Sequence, residues 1–130
     1  MPERFARVAG LAASLALTTG LVACVPAGGV PATCSQASVS LAATLKPDAM
    51  QPASLEVCRD QQVTITIASR AAGELHFHGY DDEIEEQQVI AGQTLKVEFK
   101  AVHPGQFPIE LHPEDGSEEV AVGALVVHER

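Results

Sequence analysis

Val63-Thr64-Ile65-Thr66-Ile67-Ala68 alternates apolar and polar side chains, with Ala68 on the wet side of the pattern. A period of two belongs to a strand buried on one face and wetted on the other, because successive side chains of an extended chain point to opposite sides. The pattern repeats in both directions along the chain. Val39, Leu41 and Ala43 alternate before Lys46-Pro47-Asp48, and Leu55 and Val57 alternate before the polar turn Arg59-Asp60-Gln61. On the other side, Gly73 opens Glu74-Leu75-His76-Phe77-His78, and Val89-Ile90 precedes the turn Ala91-Gly92. Leu95, Val97 and Phe99 follow, then the turn Pro104-Gly105 and the alternating Phe107, Ile109 and Leu111. Val120 to Val127 is a last apolar strand broken by Gly123. No stretch of ten residues has a helical period, although 81–91 accommodates a short turn of helix. Seven or eight short strands at this spacing predict an all-β fold, a Greek-key antiparallel β-sandwich over residues 38–130.

The chain has 130 residues, enough for one domain. With 46% apolar and 19% charged residues it can bury a core, which excludes wholesale disorder. Aromatics are 4% with no Trp, the net charge is −9, and Lys and Arg form no cluster. That composition excludes a nucleic-acid binder, which needs cationic surface and stacking platforms. An acidic surface suits cations or basic partners instead.

Residues 1–23 read as a signal peptide: Arg4 and Arg7 precede an apolar run from Val8 to Leu17 that is too short to span a bilayer. Leu21-Val22-Ala23-Cys24 resembles the lipobox of bacterial lipoproteins, in which the Cys is lipid-modified and begins the mature chain. That resemblance implies an exported protein held to membrane lipid through Cys24, on the periplasmic or cell-surface side. An ordinary signal-peptidase site with a chance Cys is the alternative. The mature chain would carry six basic and 16 acidic side chains. Residues 24–37, rich in Pro, Gly, Ala and Ser, read as a flexible tether. Cys34 and Cys58 remain, and an oxidising compartment favours a disulfide between them; a metal site shared with the histidines is the other reading.

The order of segments from about residue 38 to 128 resembles a cupredoxin domain. The matching pieces are Leu55-Glu56-Val57 leading to Val63-Thr64-Ile65, the His-bearing strand, Ala91-Gly92-Gln93-Thr94, Val97-Glu98-Phe99, Pro104-Gly105-Gln106-Phe107 and Gly123-Ala124-Leu125-Val126. The resemblance implies a mononuclear copper at one end of the sandwich. One ligand would come from the strand that His76 and His78 occupy, and a Cys, a His and usually a Met from the loop after the Pro-Gly turn. The sequence departs from that pattern: Leu111 stands where the thiolate belongs and Ala121 near the Met. Without a thiolate a blue-copper electron-transfer centre cannot form.

His76, His78 and His112 remain as candidate ligands. Residues two apart on a strand share a face, so His76 and His78 can address one ion, and cupredoxin topology would bring His112 to the same strand. Neutral imidazoles on a rigid sheet suit copper first, with zinc and nickel next, and affinity is expected to fall below about pH 6. Asp81, Glu110 and His103 are further candidate ligands, and Tyr80 is a candidate hydrogen-bond donor behind them. His128, near the C-terminus, is a weaker candidate. The acidic runs 81–86 and 114–119 lack EF-hand spacing and read either as solvated loops or as flanks of the His site.

The sequence thus predicts a tethered, non-enzymatic protein that sequesters or delivers a transition metal, with a metal-trafficking protein as partner. The competing reading is a metal-free sandwich that docks a partner through its acidic loops. A copper–zinc superoxide dismutase-like enzyme also carries a His-x-His strand, but the order of His103, His112 and His128 does not match its ligand set.

Overall fold

The computed structural model describes residues 29–130. The signal peptide, Cys24 and the first part of the tether lie outside the described residues.

Nine strands follow in order among the described residues: β1 Ser38–Leu45, β2 Met50–Gln51, β3 Ser54–Cys58, β4 Gln62–Ser69, β5 Gly73–Phe77, β6 Gln87–Val89, β7 Thr94–Lys100, β8 Gly105–Pro113 and β9 Val120–His128. They form two sheets, ordered β2-β1-β4-β7 and β3-β9-β8-β5-β6. The all-β sandwich therefore stands, with nine strands against the seven or eight that the periodicity predicts. β2 and β6 have two and three residues, too few for an alternation to register. The 81–91 segment holds no helix: a turn at Asp81–Glu83 leads to buried Ile84 and then to β6.

One expectation needs correction. The sandwich is not wholly antiparallel: β1 runs parallel to β4, with Ser38 opposite Gln62 and Leu45 opposite Ser69, and β3 runs parallel to β9. Alternation reports which face a strand buries, not the direction of its neighbour. After β1 and β2 the chain crosses to the other sheet as β3, then returns beside the start of β1, and so enters β4 in the same direction.

The core lies between the sheets. Val63, Ile65 and Ile67 of β4 meet Leu75 and Phe77 of β5, Ile109 and Leu111 of β8, and Leu125 and Val127 of β9, all buried. Each such side chain contributes about 1.5–3 kcal/mol by leaving water. The glycine at the head of β5 is required by close approach: Gly73 has φ +151°, and a Cβ there would lie 2.2 Å from the His112 carbonyl oxygen. That contact sets β5 tight against the end of β8 and fixes which side chains face each other.

Part of the segment read as a flexible tether is ordered. Ala32–Ser35 forms a 3-10 turn that buries Cys34, and Cys34 is disulfide-bonded to Cys58 with a Cα–Cα distance of 5.2 Å. Neither sulfur is thus a metal ligand in this state, which removes the shared metal site. Closing a loop with a sequence separation of 24 restricts the unfolded chain by about 3–4 kcal/mol in the chain-entropy account.

A buried glutamine completes the junction. Gln61 accepts the Cys58 N–H at Oε1 over 2.8 Å, and its Nε2 donates to the carbonyls of Thr33 (2.7 Å) and Gln36 (3.1 Å). Its own main chain bonds to Cys58 and Ala101. Replacing Gln61 with Ala leaves a buried N–H and two carbonyls without these partners, a cost of about 1–3 kcal/mol. Thermal unfolding of Gln61→Ala is therefore expected to begin several degrees lower, and an unchanged midpoint would rule this role out.

Candidate metal centre

The register of the five-stranded sheet builds the site. Leu75 lies opposite Leu111 and Phe77 opposite Ile109, all pointing into the core. The alternate positions point to solvent: His76 lies opposite Glu110, and Glu74 opposite His112. Imidazole and carboxylate thus alternate across β5 and β8, the cross-strand arrangement that attracts rather than repels.

His78 follows β5 directly and remains in register, its N–H donating to the Pro108 carbonyl over 3.0 Å. The His76 and His78 rings lie 4.1 Å apart between centroids, and His76 and His112 lie 6.1 Å apart. The structure therefore brings all three histidines onto one face of the sheet.

The turn after His78 depends on a second glycine. Gly79 has φ +78°, a conformation most side chains avoid, and a Cβ there would press on the Phe107 ring at 2.7 Å. From this turn Asp81 reaches back: its Oδ2 accepts the Gly79 N–H over 3.1 Å, and its Oδ1 is hydrogen-bonded to His76 Nε2. Ile84, buried in the middle of the acidic run, anchors the loop, with its N–H on the Tyr80 carbonyl. Glu86 follows and places a carboxylate oxygen 4.0 Å from His76 Nδ1.

On the other side, His78 Nε2 lies 2.5 Å from Glu110 Oε2, and His112 Nε2 lies 3.4 Å from Glu119 Oε2. Among the described residues, Glu110, His112 and Glu119 form a set whose ligating atoms all lie within 4.8 Å of one another. His112 Nε2 is buried and has no hydrogen-bond partner. A buried nitrogen without a partner is costly unless something not yet named satisfies it.

Three candidates of the sequence reading fall outside this face. Tyr80 is fully buried, with its ring against Phe99 and Phe107. Its hydroxyl donates to the His103 carbonyl over 2.8 Å and accepts the His103 N–H. It locks a loop in the core, away from the histidine face; burial pushes its hydroxyl pKa above the ordinary tyrosine value despite these bonds. His103 is exposed and its ring faces Glu83 at 3.7 Å. His128 pairs with Glu56 across β9 and β3.

Glu119 and Glu86 are the residues that sequence reasoning did not single out. They lay unmarked within runs of carboxylates, and only register and loop closure select them. The end of the sandwich differs in its chemistry. There Pro47, Arg70, Ala72, Pro113, Glu114 and Ser117 are among the residues lining a cavity of about 590 Å³, with no Cys, His or Met in its lining, and Leu111 is buried.

No protein-family model matches the chain, and no curated protein sequence does. Solved structures do match. One is the metal-binding domain of CopA, a Cu(I)-exporting P-type ATPase of Streptococcus pneumoniae, with Cu(I). It has a TM-score of 0.52 at 11% identity, over 71% of this chain and 87% of that one. A copper-binding protein in its apo form, solved by NMR, gives 0.54 at 12% identity over 71% and 89%. A blue copper oxidase from Nitrosomonas europaea gives 0.54 at 14%; the match covers 72% of this chain but only 39% of the oxidase. The fold is cupredoxin-like.

The hydrogen bond from His76 is the main reason the Asp81 carboxyl titrates below the ordinary aspartate value, outweighing the opposing desolvation. A depressed acid contributes stability above its unfolded pKa and loses it as pH falls through its folded one. In the metal-free protein, His76→Ala is expected to move the Asp81 carboxyl titration, followed by carbon-13 NMR, back up towards the ordinary value. A titration that stays low would mean that His76 is not the cause.

Proposed function

We propose that this domain binds a transition-metal ion, copper first, on the solvent face of its five-stranded sheet and serves to sequester or deliver it. The single observation that carries the reading is His112 Nε2, a buried nitrogen without a partner on the face that also presents His76 and His78. The donors within reach are imidazoles and carboxylates. That set suits Cu(II), Zn(II) and Ni(II), and lacks the thiolate of an electron-transfer centre. Copper is favoured because structural neighbours of the fold include a copper-binding protein and a Cu(I)-bearing domain.

The sheet presents the ligands on rigid backbone, whereas Asp81 and Glu119 come from the loops on either side. Nitrogens presented by the sheet with carboxylates supplied by its flanking loops suit an ion that must be taken up and handed on. An imidazole must be neutral to ligate, so acid competes with the metal. We read the protein as a carrier rather than an enzyme, exported and held to membrane lipid through Cys24, with a second metal-handling protein as partner.

A second reading has one specific observation in its favour. His76 is satisfied by Asp81 and His78 by Glu110 without any ion. On that reading the acidic loops dock a partner and the histidines only fasten them.

The two readings part in a copper titration. The variant His76→Ala/His78→Ala/His112→Ala keeps the core residues and is expected to unfold near the wild-type temperature while losing stoichiometric Cu(II) binding in calorimetry. Wild-type affinity in that variant, or no wild-type binding tighter than about 10 µM, roughly −7 kcal/mol, would leave the docking reading in possession.

A further inference from the structure

Resting on the metal-binding reading above, we propose that the ion is seated by His112, Glu110 and Glu119, an imidazole–dicarboxylate set. In this arrangement His78 positions Glu110 and is not itself a ligand. The distances separate the imidazoles into two kinds. His76 with Asp81 and His78 with Glu110 sit at hydrogen-bond contact, too close for both atoms of a pair to bind one ion side by side. His112 Nε2 and Glu119 Oε2 lie 3.4 Å apart and form no hydrogen bond. Two ligands on one tetrahedral ion with bonds of 2.0–2.1 Å stand about 3.3 Å from each other. The pair is thus already spaced as ligands are.

Glu110 completes the set. It stands on β8 two residues before His112, on the same face of the strand, and its ligating oxygen lies within 4.8 Å of the other two donors. A carboxylate has two oxygens, so Glu110 can keep Oε2 on His78 while offering the other to the ion. A ligating carboxylate fixed by a hydrogen bond from behind is the usual way a site holds its geometry. An ion seated here would give His112 Nε2 the bond that Glu119, 3.4 Å away, does not supply as a hydrogen bond.

Two carboxylates and one neutral imidazole cancel the charge of a divalent ion. Oxygen-rich donors favour Cu(II), Zn(II) or Ni(II) over Cu(I), which selects thiolate and thioether. No sulfur competes among the described residues: Cys34 and Cys58 are bridged, and Met50 is buried on β2 in the opposite sheet. The seat would thus take the oxidised ion from its surroundings.

The test uses the full-length protein and Cu(II) alone. Pulsed electron paramagnetic resonance counts coordinated imidazoles through the modulation from their remote nitrogens. One imidazole is expected in wild type, and one still in His78→Ala, because His78 does not touch the ion. Glu119 is exposed on its loop, so Glu119→Gln leaves the fold intact, and it is expected to weaken Cu(II) binding by roughly 10- to 100-fold. Three imidazoles, together with unchanged affinity in Glu119→Gln, would overturn this seat and leave a trihistidine site standing. A modulation that falls in His78→Ala would make His78 a ligand and also overturn it. Failure of the wild-type protein to bind Cu(II) at all would sink the metal-binding reading and this seat with it.

Discussion

The whole arrangement depends on one constraint, the two-residue parity of β5 and β8. Leu75, Phe77, Ile109 and Leu111 must enter the core, because sending them to water would forfeit several kcal/mol of burial. Once they are inside, His76, Glu110 and His112 are forced outward on a shared face. A slip of one residue would exchange the two sets completely. Gly73 guards against such a slip, since only a residue without a Cβ can sit against the His112 carbonyl. The same hydrophobic contacts that hold the sandwich together therefore set the spacing of the proposed ligands.

This placement separates the chain from the arrangement its fold suggested. The resemblance in sequence implied a metal at one end of the sandwich, held in part by the loop after the Pro-Gly turn. In the structure that loop, between β8 and β9, turns Glu114 and Ser117 towards a cavity whose lining has no imidazole or sulfur, and sends Glu119 back over the sheet instead. Fold likeness at 11–14% identity carries the architecture and not the ligands. The chemistry must be argued from the face itself, where nitrogen and oxygen are the donors within reach.

Much of the fold was legible because it rests on periodicity. Val63 to Ala68 and Leu95 to Phe99 announce half-buried strands, and His76 and His78 share a face for the same reason. Parallel pairing of β1 with β4 was not legible, because a crossover through the other sheet leaves no local trace. Tyr80 could be either a core residue or a donor behind a ligand; only its bonds to the His103 main chain decide for the core. Gln61 looked like one more polar turn residue, yet it ties the start of the domain to the strand that bears Cys58. Glu119 was one of four carboxylates in a single run, and its selection depends on how the loop closes, which charge patterning does not encode.

The central claim is that the outer face of the β5–β8 pair is where the protein meets its ion. Nitrogen-15 NMR of the protein with substoichiometric Cu(II) tests it most directly, since the paramagnetic ion erases signals near its seat. The account predicts early loss of the signals of His76, His78, Glu110, His112 and Glu119, while those of β1 and β7 in the other sheet persist. Loss centred on His103, His128 or the cavity beside Arg70, or no selective loss at all, would contradict it.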